Sequence, residues 1–202
     1  MSMNNLRADL DIIKDWIPSN SQVLDLGCGD GEFLQYLKQH KNVLGYGLEI
    51  DSDKITECVC KGVNVIEQNL DSGLANIKNN SIDTVVMTQA LQAVKRPDQL
   101  IDEMLRIGNE AIITFPNFGH WRTRLYLINK GRMPVSETLP YHWYDTPNIH
   151  LCTFKDFEAL CYRKGITIKH RMVVDQTHHE HWFYNLWPNL LGDIAIYHIG
   201  RK

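Results

Sequence analysis

The sequence has 202 residues, of which 44% are hydrophobic and 22% are charged, and its formal net charge is -3. These proportions are typical of a folded globular protein and exclude a disordered chain. Because the net charge is small, no strong field attracts nucleic acid or an anionic lipid surface, and neither is expected as a partner.

The beginning of the sequence and its cysteines indicate where the protein works. Asp9, Asp11 and Asp15 come before any long apolar run, which is not the layout of a signal peptide. No run reaches the roughly 18 apolar residues of a membrane span. We therefore expect a cytoplasmic protein with free thiols and no bound metal, because the cysteines lack the paired spacing of a zinc site. These cysteines are Cys28, Cys58, Cys60, Cys152 and Cys161.

Hydrophobic periodicity predicts alternating helices and strands along the first half of the chain. The predicted elements are a helix over 8–16, a strand over 22–26, a helix over 32–39, a strand over 42–49, a helix over 52–61, strands over 63–67 and 82–88, a helix over 97–107 and a strand over 110–114. The first strand is apolar almost throughout, as in a parallel sheet that is covered on both faces.

The second half begins with a long irregular stretch and then returns to regular elements. Aromatic, proline and basic residues crowd together over 115–153, which we interpret as an insertion that covers the ligand end of the sheet. A helix is predicted over 154–164, and strands over 166–174 and 193–199 should pair as an antiparallel hairpin. The whole pattern predicts one α/β domain over 1–202, with a doubly wound, mostly parallel seven-stranded sheet.

Three glycines at alternate positions directly follow the first predicted strand. Gly27, Gly29 and Gly31 are separated by Cys28 and Asp30, and a predicted helix comes next. Glycine lets the backbone turn sharply and approach a ligand, and the helix presents free N–H groups. Because doubly wound sheets bind ligands at the carboxyl ends of their strands, this turn is predicted to be the centre of a ligand site.

Acidic residues around the turn restrict the kind of ligand. Glu49 ends the second predicted strand, where its carboxylate can accept hydrogen bonds from both hydroxyls of a ribose, although it can also be a solvated strand end or a helix cap. Asp25 and Asp30 would repel a pyrophosphate, whereas Asp25 can orient an ammonium group beside a sulfonium. The Gly-x-Gly-x-Gly spacing also differs from the dinucleotide fingerprint. A cationic amino-acid cofactor therefore fits better than a dinucleotide.

The insertion carries the candidates for acid–base chemistry. His120, His142, Tyr141 and Tyr144 are candidate catalytic residues, and the alternative is that they are polar tips of an aromatic-rich loop.

Three further stretches have alternative interpretations. Arg122 and Arg124, next to Trp121, can bind a carboxylate or belong to a solvated helix face. The histidine-rich stretch 178–181 invites assignment as a metal site, but we favour an exposed loop, because neighbouring residues on a strand point to opposite faces. The aromatic run over 182–187 is either core or a partner-binding patch.

The stretch from Val23 to Gly31 resembles the class I S-adenosylmethionine-dependent methyltransferase superfamily, whose glycine turn binds the methionine end of the cofactor. The resemblance implies S-adenosylmethionine or S-adenosylhomocysteine as ligand, an acid on the ribose, a loop that flanks the adenine and a residue that closes the site. Asn69 departs from the family pattern, in which an acid comes before Leu70. After the fourth predicted strand the chain reads Met87-Thr88-Gln89-Ala90-Leu91 and lacks the Asn/Asp-Pro-Pro-aromatic motif that the resemblance implies for amino-group methyltransferases, so methylation of that type is disfavoured. The implied cofactor residues are Asp25, Gly27, Cys28, Gly29, Gly31, Glu49, Ile50, Asn69, Leu70 and Gln89.

Nearly the whole chain resembles the MetW family of bacterial methionine-biosynthesis proteins. Besides the glycine turn and Tyr46-Gly47-Leu48-Glu49-Ile50, the more specific matches are Phe115-Pro116-Asn117-Phe118-Gly119-His120-Trp121 and Leu139-Pro140-Tyr141-His142-Trp143-Tyr144-Asp145-Thr146-Pro147-Asn148-Ile149-His150. The resemblance implies a companion of homoserine O-acyltransferase that supports or regulates this enzyme. Two alternatives stay open: an active methyltransferase on a small molecule, and a glycine turn with a structural role alone.

Overall fold

The computed structural model describes residues 6–136, 138–174 and 186–201. The described strands are β1 (Gln22–Leu26), β2 (Leu44–Glu49), β3 (Asn64–Glu67), β4 (Ile82–Thr88), β5 (Gly108–Pro116), β6 (Ile166–Val174) and β7 (Ile194–Arg201). The described helices are α1 (Ala8–Ile13), α2 (Glu32–Lys41), α3 (Ser52–Cys60), α4 (Pro97–Ile107), α5 (Trp121–Lys130), α6 (Phe154–Lys164) and α7 (Pro188–Leu191). Single 3-10 turns lie at Lys14–Trp16, Leu70–Ser72 and Leu91–Ala93.

The strands form one sheet in the order β3-β2-β1-β4-β5-β7-β6. Strands β1 to β5 are parallel, whereas β7 runs antiparallel to both β5 and β6. The direction of winding reverses at β1, which pairs with β2 on one side and β4 on the other. This arrangement confirms the predicted doubly wound sheet with an antiparallel carboxyl-terminal pair, and it puts the switch point beside the glycine turn.

Alternation along β1 divides the core into two layers. Leu24 and Leu26 face one cluster, together with buried side chains of α4 and α6. Val23 faces the other cluster, which contains buried side chains of α1, α2 and α3. Successive residues of a strand point to opposite faces, so helices cover the sheet on both sides. Asp25 lies on the same face of β1 as Val23, below the turn.

Charged groups hold the edge of the sheet opposite the glycine turn. Glu110, near the start of β5, has its Oε2 2.9 Å from Nε2 of His198 and 2.8 Å from Nζ of Lys169. The His198 imidazole beside this carboxylate is the main cause that lowers the pKa of Glu110 to about 2. Trp16 lies against the rings of His198 and His170, at 5.7 Å from each. The end of the first helical segment is thereby fixed to this edge.

Several predicted boundaries of helices and strands were wrong. The second strand begins at Leu44 and not at Asn42, because Asn42 takes a left-handed conformation (φ 53°) that ends α2. Strand β5 is longer than 110–114, since β7 pairs with it up to Pro116. The closing strand begins at Ile194 and extends to Arg201.

The predicted insertion over 115–153 needs correction at its beginning. Its first two residues belong to β5, and Trp121–Lys130 is a helix that the sequence analysis missed. Gly131 ends this helix at a φ of 59°. Residues 131–136 and 138–153 contain no further helix or strand apart from an isolated bridge between Asn117 and Cys152. Most of the segment is therefore irregular, as predicted.

The cysteines are all unpaired, as predicted. Cys58 is buried and Cys60 is exposed, because residues two apart on a helix do not share a face. Within the described ranges, no three His, Cys, Asp or Glu side chains are grouped so that they could hold a metal ion. No described helix combines the length and apolar character needed to cross a membrane. The stretch 178–181 lies outside the described residues, as does most of the aromatic run 182–187.

Candidate functional site

The glycine turn needs glycine at all three positions for conformational reasons, and at two of them for space as well. Gly27, Gly29 and Gly31 have φ values of 73°, 56° and 76°, in the left-handed region. A Cβ at Gly27 would lie 3.1 Å from Cβ of Ala90, and one at Gly31 would lie 2.8 Å from Sγ of Cys58. A Cβ at Gly29 would meet nothing within 4 Å. Gly29 therefore borders open space.

Backbone hydrogen bonds fasten the turn to the end of β2. The amides of Gly27 and Cys28 donate to the carbonyl of Leu48 at 2.8 and 3.2 Å. A Cβ on Gly47 would lie 2.3 Å from Sγ of Cys28, so glycine there lets that side chain fold back against β2. The Cys28 side chain thus packs behind the turn, and its backbone is the part that borders the site.

The carboxylate of Glu49 connects the turn to the loop after β2. Its Oε2 accepts a hydrogen bond from the amide of Gly29 at 2.9 Å. Its Oε1 accepts from the amides of Ile50 and Asp51 at 2.7 and 3.0 Å. A carboxylate has about four acceptor positions, so these three bonds leave one open on Oε2. Glu49 is therefore fixed at the site and can still accept a hydroxyl group.

Asp25 is the buried acid below the turn. Asp25 is 2% exposed, and its Oδ1 has no hydrogen-bond partner in the described part of the chain. Burial raises the pKa of Asp25 to about 7; the Arg7 guanidinium opposes this rise and the Glu49 carboxylate adds to it. A buried acceptor without a partner is unfavourable. The position suits a ligand that brings a hydrogen-bond donor with positive charge.

Two thiols and an ion pair support the turn from behind. Sγ of Cys58 donates to the carbonyl of Gly29 at 3.2 Å and lies 3.9 Å from Sγ of Cys28. Burial raises the pKa of both thiols, so they stay protonated. Asp30 pairs with Lys61 at 2.6 Å; burial opposes the effect, but this hydrogen bond lowers the pKa of Asp30. Asp30 is thus ionised and already paired.

The residues predicted to flank the adenine lie in two loops at the same edge. Ile50 is 59% exposed, so its side chain is available to a ligand. Oδ1 of Asn69 accepts from the amide of Asp71 at 2.9 Å and caps the turn in which Leu70 packs on the core. The Asn69 side chain is thus engaged locally. Asp71 in turn accepts a hydrogen bond from the amide of Lys95 at 2.8 Å.

Gln89 directs its side chain to a residue that the sequence analysis missed. It follows β4 with a φ of 51°, and its Nε2 donates to Oδ2 of Asp9 at 3.3 Å. Asp9 is completely buried and also accepts a hydrogen bond from Oγ1 of Thr114 at 3.0 Å. Arg7 forms a two-pronged pair with Asp9, at 2.6 and 2.9 Å. Acidic residues ahead of the first strand were visible in the sequence, but no local pattern indicated these distant partners.

The candidate catalytic residues do not converge on the glycine turn. His120 is buried with its Nδ1 3.4 Å from Oδ1 of Asp193, and burial lowers its pKa although Asp193 opposes this. His142 and Tyr141 line a cavity of about 180 Å³ inside the insertion, whose lining includes no residue of the turn. Tyr144 is exposed and stacks on His142 at 5.4 Å.

The two arginines at the start of α5 have different environments. Arg124 donates to the carbonyls of Gly119 and Asn189 at 2.6 and 3.4 Å, which fixes the beginning of this helix. Arg122 lies over the ring of Trp121 at 5.4 Å. Arg124 therefore has a structural position, whereas Arg122 stays close to the exposed aromatic ring.

The strand order and the glycine turn at its switch point define the class I S-adenosylmethionine-dependent methyltransferase fold. Such a methyltransferase from Mesorhizobium loti is 17% identical to this chain with a TM-score of 0.67, over 96% of this chain and 98% of that one. The [4+2]-cyclase SpnF is 16% identical with a TM-score of 0.66, over 96% and 80% of the two chains. Such identities establish the fold alone.

Sequence comparison identifies the family within this fold. Residues 7–199 match the family described as Methionine biosynthesis protein MetW, and the chain belongs to this family. It is also 30% identical over 206 residues to the bifunctional methionine biosynthesis protein MetXA/MetW of Rhodopirellula baltica. That alignment covers 98% of this chain and 33% of the relative, so the chain spans about a third of the relative's length. The resemblance stated from the sequence is confirmed.

Proposed function

We propose that this protein binds S-adenosylmethionine at the glycine turn and regulates a homoserine O-acyltransferase according to the cofactor's concentration. One observation carries the regulatory part. Residues 89–96, which follow β4 at the edge of the sheet where the glycine turn lies, are hydrogen-bonded directly to the insertion. This segment therefore connects the proposed cofactor site with the insertion, which we propose as the surface that binds the partner.

The residues around the turn fit the cofactor. The open space at Gly29 admits a ligand against the backbone, Glu49 has an acceptor position for a ribose hydroxyl, and the unpaired Oδ1 of Asp25 suits an ammonium group. When bound, S-adenosylmethionine supplies a sulfonium and a transferable methyl group. The role of this chain's residues is to bind and orient that ligand.

The connecting segment, residues 89–96, contacts both regions. The side-chain amide of Gln92 donates to the carbonyl of Gln89 at 2.7 Å. The carbonyl of Gln92 accepts from the amides of Ile149 and His150 at 2.9 and 3.0 Å. Nε2 of His150 also lies 3.2 Å from the carbonyl of Lys95. A ligand that favours one conformation of Gln89 can therefore change the conformation of the insertion. Regulation requires two such states that differ in their affinity for the partner.

The insertion has the surface of a docking site. More than half of the large hydrophobic side chains that are exposed in the described part of the chain lie between 121 and 151. Trp143 and Tyr144 are 75% and 70% exposed. Exposed aromatic patches of this kind mark interaction sites.

The family and its relatives support the choice of partner. The Rhodopirellula baltica relative is described as a bifunctional MetXA/MetW protein, in which the two parts share one polypeptide. MetW resemblance implies work beside homoserine O-acyltransferase, and S-adenosylmethionine is a downstream product of the pathway that this enzyme begins. These two relations support feedback on the acyltransferase through a companion that binds S-adenosylmethionine.

An active methyltransferase is the second candidate function. The cavity of about 180 Å³ in the insertion, lined in part by Tyr141, His142 and Trp143, has the aromatic character of a small-acceptor pocket. Methyl transfer needs the acceptor within about 3 to 3.5 Å of the methyl group. Turnover of S-adenosylmethionine with any acceptor would favour this alternative over a pure sensor.

The decisive experiment measures homoserine O-acyltransferase activity with and without this protein, across a titration of S-adenosylmethionine. We expect the protein to change the activity and the cofactor to modulate that change. Unchanged activity at every cofactor concentration would contradict the regulatory proposal and leave the methyltransferase to be tested.

Two matched variants connect this effect to the turn. Gly29→Ala adds a Cβ to the open space, which we expect to weaken cofactor binding by at least about tenfold. Gly165→Ala is the control, because Gly165 also has a positive φ (65°) and nothing within 4 Å of an added Cβ, but ends α6. Both variants carry similar backbone strain. Equal cofactor affinity in the two would show that the turn has a structural role alone.

A further inference from the structure

Arg7, Asp9 and Thr114 have no role in the proposed regulation, yet together with Gln89 they form a hydrogen-bonded cluster beside the proposed cofactor site. In the sheet ladder Asp25 is opposite Val86, and Thr114 is opposite Thr88. Thr114 is thus two residues further toward the carboxyl edge than Asp25, or about 7 Å along the strands. Through its bonds to Thr114 and Gln89, Asp9 is held at the edge where the ligand site lies.

Asp9 is a fully buried carboxylate whose bonds fix one side of Arg7. Nε of Arg7 donates to Oδ1 and Nη2 donates to Oδ2 of Asp9. With the bonds from Gln89 and Thr114, Asp9 accepts four hydrogen bonds. A buried charge needs such compensation. The guanidinium is therefore held in one orientation by a neighbour that is itself immobilised.

The other side of the Arg7 guanidinium is available. A guanidinium has five N–H donors, and Asp9 uses the edge formed by Nε and Nη2. Nη1 donates to no residue in the described ranges, and the Arg7 side chain is 46% exposed. Its charge also acts on Asp25, where it opposes the effect of burial. The free edge of Nη1 and Nη2 matches the two oxygens of a carboxylate.

We infer that Arg7, positioned by Asp9, binds the carboxylate of the cofactor's amino-acid end, while Asp25 accepts its ammonium group. The inference rests on the proposed function. The two side chains form a clamp for an α-amino-acid zwitterion, with opposite charges on Arg7 and Asp25. Its chemical consequence is selectivity for S-adenosylmethionine over its decarboxylated derivative, which keeps the sulfonium, the ribose and the adenine but lacks the carboxylate.

Calorimetric titration of three ligands tests this inference. The ligands are S-adenosylmethionine, S-adenosylhomocysteine and decarboxylated S-adenosylmethionine, and the proteins are wild type, Arg7→Gln and Arg7→Lys. We expect Arg7→Gln to weaken binding of the first two ligands by about 10- to 100-fold, the range for hydrogen bonds to charged groups. Affinity for the decarboxylated ligand should change by less than about twofold. Arg7→Lys should be intermediate, because lysine keeps the charge and loses the planar pair of donors.

The outcomes separate this inference from the proposal beneath it. If wild type binds neither S-adenosylmethionine nor S-adenosylhomocysteine, the proposed function and this inference both fail. If wild type binds them but does not prefer them to the decarboxylated ligand, the carboxylate site alone is wrong. An equal loss for all three ligands in Arg7→Gln would also overturn it, because it would indicate that Arg7 only stabilises the fold.

Discussion

Replacing Asp25, the buried acid below the glycine turn, by asparagine should make the unliganded protein more stable above neutral pH. Burial raises the pKa of Asp25 to about 7, from an ordinary value near 4. Between these values the native state holds a proton that the unfolded chain has lost, so the stability of wild type falls as the pH rises. In Asp25→Asn the side chain is neutral at every pH, and this decline disappears.

The size of the effect follows from the pKa. One pKa unit corresponds to about 1.4 kcal/mol, so the stability of Asp25→Asn relative to wild type should rise by about 3 kcal/mol between pH 5 and pH 8. Above about pH 8 the difference should level off, because Asp25 is then ionised in both states. Urea unfolding of both proteins at pH 5, 6, 7, 8 and 9, without cofactor, measures it.

A second acid from the same turn provides the control. Asp30 is paired with Lys61 and its pKa is lowered, so it is ionised in native and unfolded chains alike over this range. The free energy of unfolding of Asp30→Asn should therefore differ from that of wild type by the same amount at every pH from 5 to 9. If the difference in free energy of unfolding between Asp25→Asn and wild type is also the same at every pH, the raised pKa assigned to Asp25 is wrong. Asp25→Asn should also bind S-adenosylmethionine more weakly, since the ammonium would lose its counter-charge.

Three further predictions concern other parts of the molecule. Glu110→Gln should lower stability by about 2–3 kcal/mol at pH 7 and by roughly half as much at pH 3, because the pKa of this acid is lowered to about 2; thermal melting at both pH values measures this, and unchanged cofactor affinity is the control. Iodoacetamide should label Cys60 in the native protein and all five cysteines in urea, so native labelling of the buried thiols would contradict their assigned environment. Replacing Trp143 and Tyr144 together by alanine should weaken the effect on the acyltransferase about tenfold or more without loss of cofactor binding, whereas Tyr162→Ala, an 88% exposed aromatic outside the insertion, should have no effect.

The regular elements of the sheet could be predicted because their signals are local. The apolar run of β1, the glycines after it and the periodicity of α4 each lie within one short stretch of sequence. Burial on both faces and helical spacing then determine the alternating fold. The same locality indicated that Gly29 and Glu49 lie at one edge of the sheet, since each follows or ends a strand and the strand order brings those ends together. Their part in binding a cofactor stays a prediction.

Other features could not be predicted because they depend on partners far along the chain. The hydrogen bond between Asp9 and Thr114 joins residues 105 positions apart. Helix α5 buries little beyond Thr123, so its sequence shows no clear apolar face. The engagement of Gln89 with Asp9, instead of an open side chain, likewise depends on the position of α1.

The position of β7 affects how the chain can fold during synthesis. This strand lies between β5 and β6, although it comes last of the three along the chain. The edge of β5 from Glu110 to Pro116 must therefore stay without its partner while α5, α6 and β6 are translated. An unpaired strand edge can pair with other chains, and partly folded intermediates aggregate by this route. The nascent protein thus carries a vulnerable edge until β7 leaves the ribosome.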